Sequence, residues 1–245
     1  MRLYFIRHGQ STNNLRWLET GSSEGRVPDP ELTDAGEQQA QVLADFVARH
    51  HTDVSPRDRA YDSTGRFQIT HCYTSLMDRA VATGHKIAEA VDLPLLPWLD
   101  LHETGGMFSY DPEEDAYNPE PGMTRGHLAA HYPRLVLTHD VTEAGWWNRP
   151  FEPEAARVPR ARRVLAELLT KHGGTDDEVI FVSHGGFFNL FLRAILGFDN
   201  GSAPPDGSVW FGAYNASMTR VDFSGEERFV AYINRTDYLP AHLIT

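Results

Sequence analysis

Two histidine–glycine pairs follow short apolar runs. Arg7-His8-Gly9-Gln10-Ser11 comes after Leu3-Tyr4-Phe5-Ile6, and Ser183-His184-Gly185-Gly186 comes after Val179-Ile180-Phe181-Val182. Two more apolar runs lead into charged groups, Ser75-Leu76-Met77-Asp78-Arg79 and Asp100-Leu101-His102-Glu103. Imidazole is a nucleophile and a proton carrier near neutral pH. Guanidinium groups offer forked donors that fit phosphate oxygens. Glycine allows close backbone approach to a ligand. A helix starting after either His-Gly pair would aim free N–H groups at the same place, which suits an anion. These residue types together imply a phosphate pocket with imidazoles inside it.

The elements that must carry these groups can be read from the pattern. Residues 2–6, 69–73, 95–99 and 178–183 read as strands, the third edge-like because its prolines remove ladder donors. Helical patterns run from Thr33 or Asp34 to Arg49, from Ser75 through Ala90, from Glu152 to His172 and from Gly186 to Leu196. Residues 51–67 read as a loop, and alternating stretches at 209–221 and 228–233 as strands. Alternation of strands and helices predicts a three-layer α/β/α fold, a mostly parallel sheet with helices on both faces. Ligands of such sheets bind beyond the carboxyl ends of the strands. If the strands are parallel neighbours, Arg7, His8, Arg79, Glu103 and His184 converge on one crevice.

The chain is expected to form a single domain over 1–245, with a lid-like insertion at about 104–150. That segment is rich in Pro, Gly and acidic groups, with one helix near 125–132. Long irregular segments in compact domains are usually functional. Tyr110, Arg125, His127 and Trp146 are its candidates for substrate choice, although Trp146-Trp147 also reads as packing for the long helix that follows.

With 245 residues and a net charge of −12, the chain can bury a large core but is a poor prospect for nucleic acid. No run of apolar residues reaches membrane-spanning length and no signal peptide is evident, so a cytoplasmic location is expected. Cys72 is the sole cysteine, which excludes an internal disulfide and a multi-thiolate zinc site. In its strand it reads as a buried hydrophobe. The 12 histidines show no HExxH or similar ligand spacing, so no metal is expected. Three Asn-x-Ser/Thr sequons, at Asn200, Asn215 and Asn234, are read as chance.

Arg7-His8-Gly9 after the first strand resembles the motif of the histidine phosphatase superfamily, the phosphoglycerate mutase-like proteins. Further matches follow in order: Asn14, Leu32-Thr33-x-x-Gly36-x-x-Gln39-Ala40, Ser75-x-x-x-Arg79-Ala80-x-x-Thr83, Glu103 and Val182-Ser183-His184-Gly185-Gly186. The resemblance implies a phosphohistidine formed on His8, without metal or cofactor. Arg7, Arg79 and His184 would hold the phosphoryl oxygens, with Asn14 and the Gly185 amide nearby. Ser11 would join them or act as a local turn or cap residue. Glu103 would protonate the leaving oxygen and then activate water, which requires it to hold a proton in a partly dry, anionic site.

The implied activity is hydrolysis of a small phosphorylated metabolite. A phosphoglycerate mutase-type phosphotransferase is the alternative within the family. Gln10 stands where those mutases carry Glu, and the insertion has no paired arginines for a second phosphate. A catalytically inactive regulatory binding protein is the alternative outside enzymology. No membrane or nucleic-acid partner is expected. The oligomeric state is left open, a homodimer being one option.

Overall fold

The structure is a computed structural model and describes residues 1–51, 66–198 and 209–245. The loop expected at 51–67 therefore falls largely outside the described residues. Strand β1 (Arg2–Arg7) and helix α1 (Thr12–Thr20) open the chain, followed by α2 (Asp34–His50), β2 (His71–Thr74), α3 (Asp78–Ala90) and β3 (Leu95–Pro97). A hairpin of β4 (Phe108–Asp111) and β5 (Ala116–Pro119) comes next, then α4 (Arg125–His131) and α5 (Glu154–His172). The chain ends with β6 (Glu178–Ser183), α6 (Gly185–Leu196), β7 (Met218–Ser224) and β8 (Glu227–Arg235).

Six strands form one sheet in the order β3-β2-β6-β1-β7-β8. The first four are mutually parallel, and β7 and β8 add an antiparallel edge. β3 lies at the other edge, where its proline costs no ladder bond. The strand period of two sends alternate side chains to opposite faces. Tyr4 and Ile6 of β1, with Ile180 and Val182 of β6, join a core that holds Leu43 and Val47 of α2 and Val81 and Ile87 of α3. Leu3 and Phe5, with Val179 and Phe181, join a second core with Val164 and Leu168 of α5 and Phe187 and Phe191 of α6. Both faces are covered, which makes the central strands continuous apolar runs. This is the three-layer architecture expected from the sequence.

The close approach of the α2 start to the turn after β1 has a local cause. Thr33 caps α2, its Oγ accepting from the Gly36 N–H at 3.0 Å. Gly36 must lack a side chain, because a Cβ there would meet the Gln10 carbonyl oxygen at 2.0 Å. The start of α2 is thereby pressed against the turn after β1.

Four expectations are corrected. α1 was not anticipated; none of its residues is buried, so it carries no apolar stripe to read. The hairpin β4–β5 lies within the segment read as irregular. Residues 209–217 do not form a strand, because side chains take their backbone groups: Asn189 Oδ1 accepts from Phe211 N–H at 2.8 Å, and Arg7 Nη1 donates to the Ala213 carbonyl at 2.6 Å. Trp146 and Trp147 pack into the core on the α2–α3 face, not against α5; Trp147 meets His102 edge to face at 4.8 Å. Cys72 is buried as expected, and burial pushes its thiol up to about 12. No described helix is long and apolar enough to cross a membrane.

Candidate active site

Strands β2, β6 and β1 lie side by side and parallel, so their carboxyl ends open onto one crevice. Arg7 is in register with Ser183, which brings His8 and His184 together with ring centroids 5.1 Å apart. Arg79 enters from the first turn of α3, and its Nε–H donates to His8 Nε2 at 3.1 Å. On the other side of the ring, His8 Nδ1 lies 2.6 Å from the Gly9 carbonyl oxygen, which can only accept. The ring proton is therefore on Nδ1 and the lone pair on Nε2. Burial, then the cations Arg79 and Arg7, hold His8 well below its ordinary value, so the imidazole is neutral at physiological pH.

His184 is fully buried behind this ring. Its Nε2 lies 2.8 Å from Ser75 Oγ; that hydroxyl accepts from the Met77 N–H and has its own proton to give to Nε2, which leaves the ring proton of His184 on Nδ1. Burial, Arg79 and His8 hold His184 well below its ordinary value too. The crevice thus contains two neutral imidazoles between two guanidiniums.

Three buried nitrogens here have no hydrogen-bond partner among the described residues: Arg7 Nε, Arg79 Nη1 and His184 Nδ1. An unpaired buried polar group costs on the order of 1–3 kcal/mol, more when charged. A tetrahedral oxyanion offers the acceptors that such guanidinium and imidazole donors lack. α1 and α6 begin at the same crevice with His8 and His184 just before them, and Gly185 contributes a free N–H as the first residue of α6.

Asn14 and Ser11 form a capping box at the start of α1. Asn14 Oδ1 accepts from Ser11 N–H, Ser11 Oγ and Asn215 Nδ2, at 3.2, 3.0 and 3.1 Å. Its NH2 is left as the donor available to a ligand. The Ser11 hydroxyl is engaged in the cap through both its proton and its lone pair.

Glu103 reaches the crevice from the loop after β3. Its carboxylate accepts from the backbone N–H groups of Thr104, Phe187 and Gly186, at 2.8, 2.9 and 3.1 Å. It thus lies across the start of α6. Gly186 permits this, because a Cβ there would stand 2.5 Å from Glu103 Oε1.

A cavity of about 250 Å³ opens on these groups and is lined by Arg7, His8, Asn14, Arg79 and Glu103. Its outer wall comes from α1 and residues 22–30, and includes the exposed Arg16 and Arg26. From the 104–150 segment only Thr104 is among the lining residues. Arg125 instead ties Thr138 and Val141 carbonyls together, and Tyr110 donates to Asp115 on the surface. The hairpin reaches the cavity indirectly: the Arg26 guanidinium lies over the Phe108 ring at 5.1 Å.

Residues 3–236 match the family model for the histidine phosphatase superfamily, branch 1. The chain belongs to the histidine phosphatase superfamily. Among its superfamily relatives, phosphoserine phosphatase 1 of Hydrogenobacter thermophilus is 25% identical over 98% of this chain and 94% of that protein. A 2,3-bisphosphoglycerate-dependent phosphoglycerate mutase of Dichelobacter nodosus is 29% identical over 64% of this chain but 50% of the mutase. The crystal structure of phosphoserine phosphatase from Entamoeba histolytica in complex with 3-phosphoglyceric acid shares the fold, with a TM-score of 0.56 and 20% identity over 98% of this chain and 99% of that one.

Within this superfamily member, several supporting residues escape sequence reasoning. Arg160 is 2% exposed and pairs in a fork with Glu152, Nε to Oε1 at 2.6 Å and Nη2 to Oε2 at 2.8 Å. Its Nη1 donates to the Asp100 and His102 carbonyls, so the pair clamps the loop that carries Glu103. The available signal was Arg160 beside Ala161 and Val164 on an apolar helix face. Asn215 Nδ2 bridges the His8 carbonyl and Asn14, a role that its sequon in the sequence does not signal. Asp29 lies 3.8 Å from Arg79 Nη1; burial pushes it up to about 7, with Arg79 pulling the other way.

Proposed function

We propose that this protein is a phosphatase that hydrolyses a small phosphomonoester through a phosphohistidine on Nε2 of His8, without a metal or cofactor. The observation that carries the reading is the set of buried donors without acceptors, Arg7 Nε, Arg79 Nη1 and His184 Nδ1, around a neutral imidazole with its lone pair on Nε2. Phosphoryl transfer needs chiefly positioning and fixed positive charge. In this reading Arg7, Arg79, His184, Asn14 and the Gly185 N–H hold the transferring oxygens. Nε2 attacks phosphorus, the bond to the ester oxygen breaks, and Glu103, a carboxylate in the free site that takes up a proton beside the bound phosphate dianion, delivers that proton to the leaving alkoxide. Water then attacks the phosphohistidine while Glu103 takes its proton, which releases phosphate and restores His8.

The substrate class follows from charge and size. The cavity is small, and its outer wall adds Arg16 and Arg26 to the inner two arginines against one carboxylate, Glu103. A short alkyl phosphate with a second anionic group, such as a carboxylate, fits that balance. Hydrolysis is favoured over mutase chemistry because similarity to the phosphatase relative runs along nearly the whole of both chains, whereas only half of the mutase is matched.

The test is a turnover screen of phosphoserine, 3-phosphoglycerate, sugar phosphates and p-nitrophenyl phosphate in excess chelator. Carboxylated alkyl phosphates should show the highest kcat/KM, and an acid-labile label should be trapped on His8. His8→Ala should lose label and turnover together. Activity that requires a divalent ion, or label on another residue, would sink the reading.

A further inference from the structure

His71 opens β2, His172 closes α5 and Asp177 stands just before β6. They meet at the amino-terminal end of the parallel strands, the end opposite His8 and His184. One ligand atom from each lies within 4.8 Å of the other two. The two imidazoles meet edge to face with centroids 4.5 Å apart.

The hydrogen bonds around them determine which nitrogens are available. Thr70 Oγ–H donates to the Glu178 carbonyl at 3.1 Å, so toward His71 Nδ1, 2.9 Å away, it can only accept. The His71 proton is thus on Nδ1 and its lone pair on Nε2, to which no described residue hydrogen-bonds. His172 Nδ1 faces Asp177 Oδ2 at 2.8 Å, and its Nε2 faces the Tyr73 hydroxyl at 3.0 Å. If the Nδ1 proton gave way to a metal, Nε2–H would donate to Tyr73. Each imidazole then has one nitrogen for a metal and an outer N–H held by an oxygen, as ligating histidines almost always have.

We propose that His71, His172 and Asp177 form a zinc site that ties the end of α5 and the start of β6 to β2. Two imidazole nitrogens and one carboxylate suit Zn²⁺ with water as a fourth ligand, whereas Mg²⁺ and Ca²⁺ prefer all-oxygen sets. A satisfied buried ring would account for His172; beside it, half-buried His71 adds a second imidazole whose Nε2 has no hydrogen-bond partner among the described residues. None of the three lines the catalytic cavity, so the ion would take no part in the chemistry at His8.

Full-length protein stripped with chelator should bind one Zn²⁺ per chain in equilibrium dialysis and raise its Tm on binding. Co²⁺ in its place should give the intense visible bands of a tetrahedral site. His71→Ala and Asp177→Asn should each weaken Zn²⁺ binding at least ~10-fold and abolish the Tm rise. His127→Ala, which removes the stacked His127–His131 pair on α4, should leave binding unchanged. Half-buried His71 can be truncated without opening the core, so that variant keeps the test sound if Asp177→Asn misfolds. Absence of binding in the wild type, binding unaltered by His71→Ala, or loss with His127→Ala would overturn the proposal. Turnover of p-nitrophenyl phosphate should be the same with and without Zn²⁺; dependence on it would overturn the structural assignment.

Discussion

Arg79 Nε donates a hydrogen bond to Nε2 of His8 across 3.1 Å. The lone pair that would attack phosphorus is therefore occupied in the free protein. A bound phosphoryl group must take the guanidinium as its own partner before the imidazole can react. In the proposed reaction the same side chain would guard the nucleophile and receive the substrate.

Replacing Arg79 with Lys separates these roles. A lysine keeps a positive charge but loses the fork that spans ring and phosphoryl oxygens. Removing one such fixed donor typically costs about 10²–10³-fold in kcat. Arg79→Lys should lose activity on that scale toward every phosphate ester, as read by steady-state kinetics. A loss confined to KM would mean that Arg79 binds ground state and transition state alike.

Asp29 should give the fold a distinctive pH dependence. Its carboxyl is raised from 3.8 to about 7 by burial, so the folded state favours the protonated form. The associated stability is fully present below pH 3.8 and is lost as pH rises through about 7. Asp29→Asn mimics the protonated form. It should raise stability at pH 8 by on the order of 1–2 kcal/mol and flatten the decline between pH 4 and 7. Thermal melts of both proteins across that range check this; parallel curves would refute it.

Glu103→Gln tests acid catalysis by leaving-group chemistry. Glutamine keeps the shape but has no transferable proton. The pre-steady-state burst should slow about 10²–10⁴-fold for an alkyl phosphate and far less for p-nitrophenyl phosphate, whose leaving group departs unaided. Equal slowing of both bursts would remove Glu103 from that role. Asp100, at the same strand end, would be examined next.

The Arg160–Glu152 clamp should act on Glu103 at a distance. Both side chains are buried, and breaking such a pair leaves an uncompensated charge that costs about 3–5 kcal/mol. Glu152→Gln should lower the denaturation midpoint accordingly. Because the clamp holds the Asp100 and His102 carbonyls, kcat for alkyl phosphates should fall more than for p-nitrophenyl phosphate. An equal fall for both would mean that the clamp serves stability alone.

Much of this molecule is legible from its residues in order. Apolar runs at 2–6 and 178–183 mark the central strands because side chains on both faces are covered. The chemistry at their carboxyl ends is legible for the same reason: parallel strands gather their ends, so Arg7, His8, His184 and Arg79 need only the right topology to meet. Thr33, Gly36 and Gln39 could be matched to a family pattern, but their work became physical only with the close contact of α2 against the turn after β1.

Other features depend on surfaces that meet from distant parts of the chain. α1 buries nothing, so no periodicity announces it, yet it forms the cavity wall. Nothing in the order of residues pairs Arg160 with Glu152 or sets both against the loop before Glu103; that follows from their burial together. His71 and His172 are 101 positions apart and show no ligand spacing; only the return of α5 to the foot of the sheet brings them together. Sequence periodicity reports how a segment divides between core and solvent. It carries no information about which charged or polar groups will share a space, because that depends on long-range packing between elements whose separation along the chain is arbitrary.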